Sequence, residues 1–219
     1  MNNYMNIKDA KKAILDIGRR MYEKQFAAAN DGNISIRISD NEILATPSGV
    51  SKGFMKKKML VITDLDGNVI EGDLKPSSEL KMHLRVYKED PLIRCVCHAH
   101  PPYCTAASIT EEKLDAPILA EAVISLGDVP ILPYAELGSF QIPDMIAPYV
   151  TTHNGVILSN HGAVTWADDP YGAFYRLESM EFYAKICLMT KPYADERKLL
   201  TDEQIKALIS MRQKFGIRR

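Results

Sequence analysis

The run Cys95-Val96-Cys97-His98-Ala99-His100 concentrates metal-ligating residue types in six positions. It reads as a short apolar strand that Pro101-Pro102 ends. Residues two apart in a strand share a face, so His98 and His100 point the same way, with Cα atoms roughly 6.5–7 Å apart. Two imidazoles at that separation can converge on one metal ion, or can cap the edge of a sheet. Cys95 and Cys97 fall on the opposite face, which argues against a mixed Cys/His zinc knuckle and for buried, inert thiols. A third histidine, in Asn160-His161-Gly162, follows the apolar stretch from Gly155 to Ser159. Strand ends are where sites are usually assembled. An imidazole there would complete a His₃ set, which leaves a coordination position open for substrate. The alternative is a turn histidine bonded to its own backbone.

Pro76-Ser77-Ser78-Glu79 opens a helix running to about Lys88, with serines as natural caps. A carboxylate at Glu79 either complements the helix dipole, worth ~0.3–1 kcal/mol, or serves as a fourth metal ligand or general acid/base. Three small polar turns, Gly32-Asn33, Ser48-Gly49 and Ser77-Ser78, are materials for a phosphate cradle if the fold brings them together. His83 and His153 read as structural, and Lys56-Lys57-Lys58 as a solvated face.

These residues need elements to hold them. Ile7, Ala10, Ile14, Ile17 and Met21 recur at helical spacing before the turn cluster Asn30-Asp31-Gly32-Asn33. Ile34, Ile36 and Ile38 alternate with polar residues as a strand, and Glu42 to Thr46 returns beside it. Met59 to Thr63 and Asn68 to Ile70 flank Asp66-Gly67 as a hairpin. A helix begins near Pro102, and the region from Leu114 to Tyr134 is mixed, with a strand at Ile131 to Tyr134. Asn160 to Ala163 reads as a turn. A long helix, opened by Asp168-Asp169, spans about Pro170 to Thr190, with Phe174, Leu177 and Phe182 as a core or subunit-contact stripe. Thr201 and Gln204 form a capping box for a last helix ending at Gly216. Strands and helices interleave, so the class is α/β or α+β.

The 219 residues are 46% hydrophobic and 25% charged, ordinary for a globular chain. A net charge of -1 gives no global basic field, which argues against nucleic acid and anionic membranes as partners. No apolar stretch approaches the ~20 residues of a membrane span, and the N-terminus lacks a signal-peptide core. Four cysteines, three of them within ten residues, suit a reducing compartment. The expectation is a cytoplasmic protein.

In order along the chain, Ala29-Asn30-Asp31-Gly32-Asn33-Ile34-Ser35-Ile36-Arg37, Thr46-Pro47-Ser48-Gly49, Lys75-Pro76-Ser77-Ser78-Glu79, His98-Ala99-His100-Pro101 and Asn160-His161-Gly162-Ala163 resemble the class II aldolase/adducin family. Within it they come nearest the sugar-phosphate aldolases of the L-fuculose-1-phosphate type. The resemblance implies a single α/β domain over residues 1–219: three α/β/α layers around a mixed, largely antiparallel central sheet. It implies zinc held by His98, His100 and His161, with Glu79 as resting ligand and then acid/base. Gly32, Asn33, Ser48, Gly49, Ser77 and Ser78 match phosphate-binding positions, and Asn30 stands where the fuculose enzymes carry a threonine. Glu121 stands near the position of an aldehyde-side tyrosine that those enzymes take from a neighbouring subunit, and their C-terminal tyrosine has no counterpart after Tyr193. A C4 homotetramer with sites between subunits is implied as well.

The implied activity is reversible cleavage of a ketose 1-phosphate to dihydroxyacetone phosphate and a small aldehyde, through a metal-stabilised enediolate. Rivals within the family are a pentulose-phosphate 4-epimerase, which typically carries Asp where this chain has Glu79, and a methylthioribulose-1-phosphate dehydratase. Family decarboxylases fit less well, given the full phosphate set. An adducin-like interaction module has the fold without catalysis, but lacks the three histidines.

Overall fold

The computed structural model describes residues 4–110, 112–215 and 217. Its strands are β1 (Asn33–Arg37), β2 (Ile43–Ala45), β3 (Val61–Thr63), β4 (Val69–Glu71), β5 (Cys95–Ala99), β6 (Ile131–Leu132), β7 (Gly155–Leu158) and β8 (Gly162–Ala167). They form one sheet in the order β4-β3-β2-β1-β5-β8-β7-β6. Adjacent strands run antiparallel except the β6–β7 pair. The helices are α1 (Ile7–Glu23), α2 (Leu80–Glu89), α3 (Pro102–Ile109), α4 (Ala120–Ser125), α5 (Gln141–Ile146), α6 (Pro170–Thr190) and α7 (Asp202–Met211).

Strand alternation sorts side chains into two cores. On one face Ile34, Ile36, Cys95 and Cys97 pack with Ile14 and Ile17 of α1 and Phe174 and Leu177 of α6. On the other, Ile43, Val96, Val164 and Trp166 pack with Leu84 and Tyr87 of α2 and Ile146 of α5. This is the three-layer α/β arrangement with a mixed, largely antiparallel sheet that the resemblance implies. The four cysteines are buried free thiols. None of the described helices is long and apolar enough to cross a membrane.

Caps read from sequence form as expected. The Asp169 side chain accepts from Gly172 N at 2.8 Å, and Thr201 and Gln204 close their capping box. The differences are local. Asn160-His161 is a tight turn, with Asn160 at φ 57°, and Gly162 already begins a six-residue strand rather than completing the turn. Asparagine tolerates that left-handed conformation. The helix after Ser77-Ser78 begins at Leu80; neither serine caps its first turn, although Ser77 Oγ accepts from Glu79 N at 3.3 Å. Between Leu114 and Tyr134 the chain forms α4 and only a two-residue strand, because no clean apolar period runs through it. Phe182 is 57% exposed and lies outside the core stripe of Phe174 and Leu177. The last helix stops at Met211, a 3-10 turn follows, and the expected stop at Gly216 lies outside the described residues.

Candidate metal and phosphate site

His98 sits one residue before the end of β5, on the sheet face that carries α2, and His100 lies just beyond it. β8 runs antiparallel to β5 with Ala99 opposite Ala163, which brings the β7–β8 turn and His161 beside His100. Gly162 permits that approach. A Cβ there would stand 2.3 Å from Ala99 O and 2.6 Å from His100 Cδ2. The imidazole centroids are 5.1 Å apart for His98 and His100, 4.7 Å for His98 and His161, and 4.9 Å for His100 and His161. One ring nitrogen from each lies within 4.8 Å of the others.

Hydrogen bonding fixes the first ring. His98 Nδ1 is 3.0 Å from Ala163 O. A carbonyl only accepts, so Nδ1 carries the proton and Nε2 keeps its lone pair for the cluster. His98 Nε2, His100 Nε2 and His161 Nδ1 are buried with no hydrogen-bond partner among the described residues. Such orphaned atoms are costly, and a cation between the rings would take the lone pairs of His98 Nε2 and His100 Nε2. Three imidazoles with a carboxylate beside them fit a borderline divalent ion.

The carboxylate is Glu79, delivered by the start of α2. Its Oε1 lies 3.1 Å from His161 Nε2 and its Oε2 lies 3.3 Å from His98 Nε2. Asn33 Nδ2 donates to the same Oε2 at 2.9 Å. Burial alone would raise the Glu79 pKa, but the neighbouring His98 and His161 outweigh it and hold the group well below the usual carboxylate range. His100 is pushed down to about 4, by burial and then by the other two imidazoles. Asp31 Oδ2 lies 3.4 Å from His100 Nδ1.

The three polar turns meet at this point. A cleft of about 310 Å³ is lined by Asn30, Gly32, Asn33, Ser48, Gly49, Ser77 and Ser78, together with Glu79, His100 and His161. Ser48 N donates to Lys75 O at 2.9 Å and Ser77 N to Thr46 O at 3.3 Å, which ties the two serine turns together. Gly32 has φ 74°, and a Cβ there would stand 2.9 Å from His98 O, so this turn packs directly on the strand that carries His98. Glu121 lies elsewhere: it is exposed in the first turn of α4 and does not line this cleft of its own chain. His83 is buried with Nδ1 2.8 Å from Ser35 Oγ, and the His153 carbonyl accepts from Trp166 Nε1 at 3.0 Å.

Three contributors escaped the sequence reading. Lys52 lines the cleft while 2% exposed, yet in sequence it is one lysine before a lysine run. Asp31 was visible in the turn but gave no sign of pairing with His100. Glu181, on α6, accepts from Tyr103 N and Cys104 N at 2.9 and 2.8 Å and so caps α3, the helix that follows His100.

The family model of the Class II Aldolase and Adducin N-terminal domain matches residues 12–188. A 3-oxo-tetronate 4-phosphate decarboxylase of Haemophilus influenzae is 32% identical over 90% of this chain and 95% of its own. An L-fuculose phosphate aldolase of Methanococcus maripaludis is 36% identical over 78% and 92%. A 5-deoxy-D-ribulose 1-phosphate aldolase of Bacillus thuringiensis is 32% identical over 97% and 99%. Among solved structures, an L-fuculose 1-phosphate aldolase superposes with a TM-score of 0.86 at 29% identity, covering 98% of this chain and 99% of that one. Sequence match over most of its length, the shared fold and the three-histidine cluster agree that the chain belongs to the class II aldolase and adducin family.

Proposed function

We propose that this protein is a zinc-dependent aldolase that reversibly cleaves a ketose 1-phosphate to dihydroxyacetone phosphate and a small aldehyde. One observation carries the reading: the polar turns and the histidine cluster share a cleft, with Glu79 between them. His98, His100 and His161 would hold the ion, with Glu79 as fourth ligand in the resting site. A divalent ion there supplies Lewis acidity to the substrate's carbonyl and hydroxyl oxygens.

The chain's own residues do the rest. The turns hold the phosphate end, where remote binding energy fixes the reacting end. In the synthetic direction the Glu79 carboxylate takes a proton from C3 of dihydroxyacetone phosphate. The electron pair passes into the enediolate, and C3 attacks the aldehyde carbon. The new alkoxide takes its proton from an aldehyde-side donor, for which Glu121 of a neighbouring subunit is the candidate. Cleavage reverses these steps. A cytoplasmic C4 homotetramer of one-domain subunits completes the proposal. A subunit contact beside the cleft is supported by Tyr134, Leu137 and Phe140, which are exposed, with Leu137 in the cleft lining.

The decarboxylase relative favours a second reading. By its name its substrate carries a phosphate, so a full phosphate cradle does not argue against decarboxylation. Loss of CO₂ from a 3-oxo-tetronate 4-phosphate leaves the same enediolate, to which Glu79 would return the proton. Both readings share one half-reaction. Zinc-loaded protein with dihydroxyacetone phosphate in D₂O should lose the C3 proton signal, and an EDTA-treated sample should keep it. No exchange with zinc bound would overturn both. With exchange established, CO₂ release from 3-oxo-tetronate 4-phosphate, set against aldehyde release from ketose 1-phosphates, separates them.

A further inference from the structure

We propose that Lys52 is the cation of the phosphate subsite: its ammonium joins two loops of the cradle and meets the charge of the bound phosphate. This rests on the reading above that the substrate is phosphorylated. Lys52 begins a 3-10 turn, Lys52–Phe54, directly after the Ser48-Gly49 loop. The turn is pressed against α1, where a Cβ on Gly18 would stand 2.8 Å from Lys52 O. From there Nζ donates to Asn30 O at 2.8 Å and to Val50 O at 2.6 Å. One carbonyl belongs to the turn containing Gly32 and the other to the Ser48-Gly49 loop. An ammonium has three donors, and the third has no acceptor among the described residues.

A lysine 2% exposed needs a reason to be charged. Its pKa falls to about 8, through burial, opposed by Asp31 and Glu79; the group is therefore still mostly protonated at neutral pH. The cleft lining contains two carboxylates, Asp31 and Glu79, and no other lysine or arginine. A phosphate dianion entering it meets hydroxyls and backbone N–H groups that carry no net charge. Lys52 carries the one ammonium in that lining, which holds no guanidinium. Charge-assisted hydrogen bonds are roughly twice as strong as neutral ones, which makes this ammonium the strongest single donor available to the phosphate.

The test is calorimetric titration of sn-glycerol 3-phosphate into zinc-loaded wild type and Lys52→Gln at pH 7. Glutamine keeps an amide donor for the loop carbonyls and carries no charge. The expected result is a Kd raised ~10- to 100-fold, with a shallower dependence on ionic strength and unchanged zinc content. Equal affinity in the two proteins would reduce Lys52 to a loop pin and overturn the proposal alone. No binding by wild type would overturn the phosphorylated-substrate reading and this one together. If Lys52→Gln loses zinc or melts early, the wild type decides by its pH profile. Above pH 7, with Asp31 and Glu79 ionised and the imidazoles on the metal, affinity must fall as pH rises through about 8. A flat profile there counts against the ammonium.

Discussion

Asn33 and His98 stand directly opposite each other in the β1–β5 pairing, and both reach the same oxygen of Glu79. Asn33 donates to it at 2.9 Å, and His98 Nε2 lies 3.3 Å from it. The sheet register thus aims the carboxylate from two sides, while α2 only delivers it. That bond takes one of the two N–H donors of the Asn33 amide, and Asn33 still lines the cleft with the serine turns.

Replacing Asn33 should therefore act on turnover more than on phosphate affinity. Asn33→Ala is expected to lower kcat ~10-fold or more, the loss of one hydrogen bond to a charged group. KM should change less. Steady-state kinetics read the split; a large rise in KM at unchanged kcat would return Asn33 to phosphate binding.

Glu79→Gln keeps the shape of the side chain and removes the base. C3 proton exchange in D₂O should fall ~10²- to 10⁴-fold, while metal analysis finds most of the zinc still bound by the three histidines. Full exchange at wild-type zinc content would remove Glu79 from proton transfer.

Gly162→Ala should damage the metal site without replacing a ligand. The added methyl meets the Ala99 carbonyl, a backbone atom that cannot swing away, and the ring of His100. Overpacking of this kind costs about 1–3 kcal/mol. Zinc stoichiometry and Tm should fall together; a variant with normal values of both would mean that the β5–β8 contact is looser than these distances imply.

Lys52 also predicts how stability varies with pH. Its ordinary pKa of 10.5 falls to about 8 in the fold, so between these values the unfolded chain binds more protons. Stability must then rise with pH across that window, and the cost of the buried charge is fully present below pH 8. Taken as the difference between metal-free wild type and Lys52→Met, which cancels the other groups, the rise should approach about 3 kcal/mol. Urea melts from pH 7 to 10.5 measure it, and a flat difference would mean that Lys52 keeps its ordinary affinity for protons.

Sequence by itself determined the local grammar of this protein. Apolar spacing gave α1 and β1, an apolar run ended by Pro101-Pro102 gave β5, and the Asp169-Pro170 start gave α6, because these signals are local to each segment; that β1 and β5 are buried on both faces came from the layers packed on them. Strand alternation put His98 and His100 on one side and Cys95 and Cys97 on the other, since that depends on the pleat alone. Only the tertiary structure decided which distant pieces meet. β8 was invisible as a strand because its buried run begins within a turn motif, yet its pairing with β5 brings His161 to His100. The hydrogen bond from Asn33 to Glu79 follows from the register of β1 on β5, which no local signal encodes. No signal in the sequence singles out Lys52. Its burial comes from a 3-10 turn seated against α1 and from two carbonyls contributed by separate loops. Long-range contacts of this kind follow from packing and loop closure over the whole chain, so a window of neighbouring residues cannot contain them.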